Sequence, residues 1–155
     1  MKRRFKPRLQ RLKWLFTDHP VYFLTFCAEP RRAILDNHPL HDSFIAFAEK
    51  AADFKILTGY HMIMPDHVHL FAAFQPQSLP LPKWMKSMKN SLSKTLRRRG
   101  VLAPHWEKDY FDHLMRSEES YLEKLHYVQQ NPVRAGLVKR AEDWPYQGEI
   151  FKLDL

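Results

Sequence analysis

The 155-residue chain lacks several features that define whole classes of protein. Cys27 is its single cysteine, which excludes a disulfide framework and a cysteine-based metal cluster and favours a reducing compartment. The four glycines form no glycine-rich phosphate loop, so we expect no nucleotide cofactor. No apolar run is long enough to span a bilayer or to act as a leader peptide. We therefore expect one cytoplasmic domain without a membrane partner.

Acidic residues are missing from two long segments. Residues 1–13 contain seven basic side chains and no acidic one, and residues 67–106 also contain no Asp or Glu. The formal net charge is +8, and this segregation favours a polyanion such as nucleic acid as the partner. A soluble basic protein without such a partner is the alternative. The candidate DNA contacts are Arg3, Arg4, Lys83, Lys86, Lys94, Arg97 and Arg98.

Two histidines alternate with apolar residues in a run that is typical of a β-strand. Side chains alternate between the two faces of a strand, so His67 and His69 point one way while Val68 and Leu70 point the other. Two imidazoles on one face can converge on a single cation. A histidine pair on a half-exposed sheet, without a metal, is the alternative interpretation.

Hydrophobic periodicity predicts four strands and three helices. The strands cover residues 21–27, 55–64, 68–74 and 105–115, and the helices cover residues 40–54, 82–99 and 117–131. The order β-α-β-β-α-β-α predicts an α+β fold, a ferredoxin-like split β-α-β sandwich whose antiparallel sheet has its helices on one face. The histidines should then point to the open face, since Val68 and Leu70 suit the packed one.

Local signals place the element boundaries. Asp42 is a candidate cap for the first helix, and residues 65–66 (Pro-Asp) predict a tight turn between the second and third strands. Gly100 suits the end of the second helix, and Ser117 suits the cap of the third. The third helix must end near residue 131 because Pro132 cannot continue it.

A tyrosine lies off the apolar stripe of the third predicted helix. The stripe consists of Tyr121, Leu122, Leu125 and Val128, whereas Tyr127 lies roughly opposite and Asn131 follows one turn later on its side. Tyrosine can act as a covalent nucleophile once its phenol is activated. An asparagine amide oxygen is a plausible ligand for a hard divalent ion. The alternative is a surface tyrosine with no chemical role.

These residues fall in two segments that resemble a known family. Residues 64–70 (MPDHVHL) resemble the HUH signature, histidine-hydrophobic-histidine, of single-tyrosine transposases. Residues 127–138 resemble the tyrosine-bearing helix of the REP-associated tyrosine transposases. Weaker similarity covers residues 21–26, Trp106, residues 110–113, Arg116 and residues 144–146, so the resemblance runs from about residue 20 to residue 147. The two main motifs together, in this order, are specific.

The resemblance implies a DNA strand transferase of the HUH endonuclease type. Such enzymes bind single-stranded DNA hairpins formed by palindromic repeats, then cleave and rejoin strands through a 5′-phosphotyrosine intermediate with Mg²⁺ or Mn²⁺. It also implies a basic arm over residues 1–19, the transposase domain over residues 20–147 and a short C-terminal tail over residues 148–155. We expect a prokaryotic, nucleoid-associated protein that is a monomer or a homodimer.

The resemblance also assigns roles to residues. It makes Tyr127 the nucleophile and His67 and His69 metal ligands. Asn131 takes the position where the wider group often has a glutamine ligand, and its shorter side chain leaves Asp66, His113 and Gln130 as alternatives for the third ligand. Tyr110 and Tyr121 are alternative nucleophiles.

Two other functions remain compatible with the sequence. One is a domesticated, non-catalytic module that binds hairpin DNA or RNA through basic and aromatic residues. The other is a metal-dependent nuclease that activates water, which would need more carboxylates than Asp66 near the histidines. Only a transposase of the expected type would form a covalent adduct with DNA.

Overall fold

A computed structural model describes residues 19–153 of the chain. Within them the predicted order of four strands and three helices is confirmed, and the structure adds a short helix and a short strand near the C-terminus. The elements are β1 (Val21–Cys27), α1 (His38–Ala51), β2 (Ile56–Ile63), β3 (His67–Phe74), α2 (Leu81–Arg98), β4 (Phe111–Leu114), α3 (Glu118–Gln129), α4 (Asn131–Arg134) and β5 (Gln147–Glu149).

The strands form one sheet in the order β4-β1-β3-β2-β5, with every neighbouring pair antiparallel. Because β1 and β2 both run antiparallel to β3, they are parallel to each other, and α1 connects them across it. This is the split β-α-β arrangement, and the predicted α+β fold is confirmed. The strand that carries both histidines therefore lies in the middle of the sheet.

Both faces of the sheet are covered. Helices α1 and α2 pack on one face, where Val68 and Leu70 lie in the core as predicted. The opposite face was expected to be open, but α3 and the C-terminal segment cover part of it through Tyr121, Val128 and Trp144. The reason is that the strands carry apolar side chains on this face too, including Phe23, Met62 and Phe71, and these also need cover.

The helix starts depend on side-chain caps. Helix α1 begins earlier than predicted because the Asn37 side chain, not that of Asp42, accepts the backbone N–H of Leu40 at 2.9 Å. Helix α3 begins as predicted, since the Ser117 hydroxyl accepts the N–H of Ser120 at 3.1 Å. Pro132 does end α3, but it then occupies the first turn of α4, where its missing N–H is tolerated.

Strand β4 is shorter than predicted. Residues 105–110 do not extend the sheet. They form a loop whose side chains hold it against α2. The His105 ring lies 2.8 Å from the Ser93 hydroxyl, and Trp106 Nε1 donates to the Lys89 carbonyl at 3.0 Å. The only strand-like contact here is an isolated bridge between Trp106 and Ala28.

The folded part continues past residue 147. Strand β5 pairs with β2, and Leu153 is buried on the α3 face of the sheet. A Cβ at Gly59 would lie 2.9 Å from Leu153 Cδ1, so a larger residue at this position would displace the Leu153 side chain. The predicted N-terminal arm, with Arg3 and Arg4, lies outside the described residues.

Within residues 19–153, no helix combines the length and the apolar character that a bilayer crossing requires.

Candidate active site

The register of β1 against β3 places Thr25 opposite His69 and Cys27 opposite His67. Residues that face each other across an antiparallel pair share one face of the sheet. The two imidazole rings lie side by side, with centroids 4.7 Å apart and planes at 77°. The structure thus brings His67 and His69 together, as their alternation predicted.

Asp66 orients the ring of His67. Its carboxylate lies 2.7 Å from His67 Nδ1 and 3.1 Å from Arg31 Nε. Although partial burial raises the pKa of Asp66, hydrogen bonds from His67 and Arg31 outweigh that effect and hold this pKa below its ordinary value. A carboxylate at Nδ1 accepts a hydrogen bond from the Nδ1–H, which leaves the lone pair of Nε2 free. Asp66 is therefore a partner of a candidate ligand, which argues against it as the third ligand.

His69 is held by three neighbours. Its Nδ1 lies 2.7 Å from the Thr25 hydroxyl, its ring stacks on Phe23 at 5.3 Å, and its Nε2 lies 3.4 Å from the Asn131 amide nitrogen. Burial, together with the positive charges of His67, Lys124 and Arg134, lowers the pKa of His69 to about 3. The imidazole is therefore neutral at physiological pH, which is the form that binds metals.

Asn131 contacts His69 from the start of α4, with its amide nitrogen 3.4 Å from His69 Nε2. It is the first residue of α4, directly after the end of α3. A 180° rotation of the Asn131 amide would place its oxygen, in place of its nitrogen, beside His69 Nε2. His113 is exposed on the edge strand and stacks on Phe111, which makes it a weaker candidate for the third ligand.

His67 and His69 form a site for a divalent ion only if the Asn131 amide supplies a third ligand. No group of three or more His, Cys, Asp or Glu side chains in residues 19–153 could hold a metal ion. Two imidazoles and one amide oxygen leave coordination positions open for water and phosphate oxygens. Two nitrogen ligands favour Mn²⁺ over Mg²⁺.

Tyr127 is exposed at the edge of this site. Its side chain is 55% exposed, while Tyr121 and Val128 provide the buried face of α3. The guanidinium carbon of Arg134 lies 3.8 Å from the Tyr127 ring centroid, and Lys124 Nζ lies 5.6 Å from it. Tyr127 is therefore off the apolar face, as predicted.

Lys124 connects the tyrosine to the histidines. Its Nζ also lies 5.2 Å from the centroid of Phe23, the ring that stacks on His69. Tyr127, Lys124, Phe23 and His69 thus form a continuous series of contacts. One detail of the predicted stripe is wrong, because Leu122 is 47% exposed.

The other candidate tyrosines are less suited to nucleophilic attack. Burial, with a smaller effect of Glu149, raises the pKa of Tyr121 to about 12. Burial also raises the pKa of Tyr110, which lies beside Lys89 in the loop before β4. Both phenols lose their proton less readily than a free phenol.

Sequence reasoning missed Thr25, Arg31, Lys124 and Arg134 as site residues. Lys124 was detectable, because a residue three positions before Tyr127 in a helix is its neighbour. The contacts of Thr25 and Arg31 depend on pairing between distant segments. Arg134 contacts Tyr127 from α4, across the end of α3.

The predicted basic contacts on α2 are all exposed, namely Lys83, Lys86, Lys94, Arg97 and Arg98. Helix α2 packs against the Val68 and Leu70 side of the sheet. The structure therefore places this basic surface and the histidine pair on opposite faces of the sheet, and does not bring them together.

Comparison with known proteins agrees with this geometry. The family model described as "Transposase IS200 like" matches residues 18–131. A Haemophilus influenzae protein provisionally named REP-associated tyrosine transposase is 25% identical over 146 residues, which cover 84% of this chain and 80% of that protein. The REP-associated tyrosine transposase of Escherichia coli K12 is 21% identical over 85 residues, covering 55% of this chain and 49% of that protein.

Solved structures share the fold. A REP-associated tyrosine transposase bound to a REP hairpin superposes with a TM-score of 0.69 and 21% identity, covering 83% of this chain and 75% of that one. A Deinococcus radiodurans R1 protein provisionally described as a transposase gives a TM-score of 0.55 and 20% identity, covering 72% of this chain and 90% of that one.

The sheet, the histidine pair and the helix-borne tyrosine define a transposase of the HUH type, and the chain belongs to the IS200-like transposase family. Within that family, its predicted resemblance to the REP-associated tyrosine transposases is confirmed.

Proposed function

We propose that the protein binds single-stranded DNA hairpins of palindromic repeats, and cleaves and rejoins strands through a 5′-phosphotyrosine at Tyr127. Membership of the transposase family supports the reaction class. A structural neighbour described as bound to a REP hairpin supports the substrate class. The observation that carries the proposal is the series of contacts that links Tyr127 through Lys124 and Phe23 to His69.

His67, His69 and Asn131 are the residues that would hold a divalent ion. When bound, Mg²⁺ or Mn²⁺ would neutralise charge on the scissile phosphate. Asp66 and Thr25 contact the Nδ1 atoms of the two rings, so that both Nε2 atoms are available as ligands.

In the proposed reaction, the Tyr127 phenol oxygen attacks phosphorus and the bond from phosphorus to the 3′ oxygen breaks. The phenolic proton is lost to solvent, the leaving oxygen is protonated to a free 3′-OH, and the 5′ phosphate stays on Tyr127. Attack by another 3′-OH reverses these steps without ATP. Lys124 and Arg134 place positive charge beside the ring, where it stabilises the phenolate and the incoming phosphate.

Replacing Tyr127 by Phe should abolish cleavage and adduct formation while leaving hairpin binding and stability nearly unchanged. The ring and its cation contacts remain, and only an exposed hydroxyl is lost. The measurement is a denaturing gel of the parent and the variant incubated with a REP-type hairpin strand and Mn²⁺, followed by peptide mass analysis of the adduct.

Tyr110→Phe is the matched control and should still form the adduct. An adduct on Tyr110 or Tyr121 would contradict the assignment of Tyr127. Hairpin binding by the parent without any adduct would favour the non-catalytic module, and cleavage without an adduct would favour a nuclease that activates water.

A further inference from the structure

A cavity of about 320 Å³ lies between the C-terminal end of α1 and the first turns of α2. It is at the end of β3 away from the histidines, because the Trp84 ring that lines it contacts Phe74, with ring centroids 5.6 Å apart. The eight residues from His67 to Phe74 separate the two places by about 23 Å. The proposed reaction uses none of the described residues that line this cavity.

The walls of this cavity are mostly aromatic and are held in place by contacts within the protein. Phe47 on α1 and Trp84 on α2 line it side by side, with ring centroids 6.0 Å apart. Phe54, in the short turn after α1, also lines it and is 55% exposed. The loop between β3 and α2 completes the lining and is tied to that turn, since the Gln75 N–H donates to the Lys55 carbonyl at 3.0 Å. A preformed apolar cavity of this volume is typical of sites for small molecules.

Trp84 contributes a hydrogen-bond donor that the protein leaves unused. The residue is 2% exposed, and its indole Nε1 has no hydrogen-bond partner among the described residues. By contrast, the indoles of Trp106 and Trp144 donate to the carbonyls of Lys89 and Ile63. A buried indole N–H normally finds an acceptor, because an unpaired buried donor is destabilising. An acceptor atom on a ligand in the cavity would supply the missing partner.

The cavity also carries one positive charge. Lys50 is the only charged side chain among the described residues that line it, and it is exposed. Ser87 adds a hydroxyl. Three aromatic rings, a free donor and a single cation are complementary to a planar apolar body with one anionic group. Aromatic walls favour a ring system over a flexible acyl chain, because aromatic rings stack on one another.

We propose that this cavity binds a small aromatic carboxylate. The ring system of the ligand packs against Phe47, Phe54 and Trp84. Its carboxylate accepts the hydrogen bond of the Trp84 indole N–H and pairs with the Lys50 ammonium group. The site is independent of the proposed strand cleavage, since the two share no residue.

The test is a titration of the full chain with 2-naphthoate, followed through the indole N–H signals in proton–nitrogen correlation spectra. The Trp84 signal, identified by its absence in Trp84→Phe, should move downfield more than those of Trp106 and Trp144, because only Trp84 gains an acceptor. Phe54→Ala removes an exposed ring from the wall and should weaken binding about tenfold. Leu102→Ala, at a more exposed position outside the cavity, is its control and should bind like the parent.

A second comparison tests the charge of the ligand. Lys50→Gln should weaken binding of 2-naphthoate about fivefold and leave binding of the neutral 2-naphthamide unchanged. Lys55→Gln is the matched control, because Lys55 is also exposed but does not line this cavity.

The proposal is overturned if the Trp84 signal stays in place throughout the titration, or if Lys50→Gln binds 2-naphthoate as tightly as the parent. Equal affinity for octanoate would show that the cavity does not select an aromatic ring and would also overturn it. Tighter binding of deoxyadenosine monophosphate than of 2-naphthoate would overturn it in favour of a site for a nucleobase.

Discussion

Asp66 links the histidine pair to the loop after β1, because the same carboxylate contacts His67 and Arg31. Such a partner sets which nitrogen of a histidine carries the proton and how the ring is oriented. The orientation of His67 Nε2 therefore depends on a residue outside the proposed ligand set of His67, His69 and Asn131.

Replacing Asp66 by Ala should weaken Mn²⁺ binding by about 10- to 100-fold, because His67 loses the partner that fixes its tautomer and orientation. Calorimetric titration of the DNA-free protein measures this directly. Asp112→Ala, at an exposed position of β4, is the control and should bind Mn²⁺ like the parent. Unchanged affinity in Asp66→Ala would exclude the positioning role.

His61 makes the fold sensitive to acid. It is 1% exposed, its Nε2 lies 2.8 Å from His41 Nε2, and its Nδ1 has no hydrogen-bond partner among the described residues. Burial, with a smaller effect of His41, lowers the pKa of His61 from 6.5 to about 3. Between those values the unfolded chain binds a proton that the folded protein does not, so stability is complete above pH 6.5 and falls as the pH drops.

The free energy of unfolding of the parent should fall as the pH drops below 6.5. In His61→Phe it should fall by about 1.4 kcal/mol less for each pH unit. Urea unfolding of both proteins at neutral and at mildly acidic pH gives the two slopes. His126→Gln, on the exposed side of α3, should leave the slope unchanged. Equal slopes of stability against pH in the parent and in His61→Phe would contradict this account.

At the scale of elements, the C-terminal segment belongs to the folded core. Trp144 Nε1 donates to the Ile63 carbonyl at 2.9 Å, and Leu153 fills the space above Gly59. The segment therefore covers apolar surface on the α3 face of the sheet, and Leu153 does so from within the predicted short tail of residues 148–155.

Leu153→Ala should destabilise the protein by about 2–5 kcal/mol, because it leaves a cavity over Gly59 in a buried site. The free energy of unfolding in denaturant is the measurement. Leu102→Ala is the control, since Leu102 is 80% exposed and should change stability by less than about 0.5 kcal/mol. Equal stability of Leu153→Ala and the parent would show that the segment is dispensable.

The sequence correctly predicted those elements whose faces and ends are set by residues close to one another in the chain. The alternation around His67 and His69 set the faces of β3, and Ser117 set the start of α3. Asn37 was missed as the cap of α1 because Asp42 also matched a capping residue, although Pro39 suits the first turn of a helix that starts earlier.

Non-local pairing limited the prediction of the site. Three residues of β5 carry no signal of their own and become a strand only by pairing with β2. The contact of Thr25 with His69 requires the register between β1 and β3, which the sequence of either strand alone does not contain.

At the scale of the whole molecule, positive charge covers the face of α2 that points away from the sheet. The histidine pair lies on the other side, so DNA that contacts both must pass around an edge. Binding to the phosphate backbone releases counterions and makes affinity depend on salt.

Hairpin affinity should therefore fall steeply with salt, with a log–log slope of roughly −0.7 for each phosphate contact on single strands. Replacing four side chains by Gln should make the slope shallower by up to about 3, as measured by fluorescence anisotropy over a salt series. The four side chains to be replaced are those of Lys83, Lys86, Lys94 and Arg97. Lys55→Gln and Lys152→Gln, at exposed positions outside α2, are the controls, and a parent slope near zero would contradict a role of α2 in DNA binding.

The outer strands of the sheet have a consequence for self-association. Among the described residues, β4 has four residues and β5 has three, and both carry an acidic side chain. Short, charged edges offer few free backbone groups for intermolecular strand pairing. Copies of the protein are thereby protected from edge-to-edge aggregation at high local concentration. These edges favour a homodimer, one of the two expected states, that forms through helices or loops rather than by pairing of sheet edges.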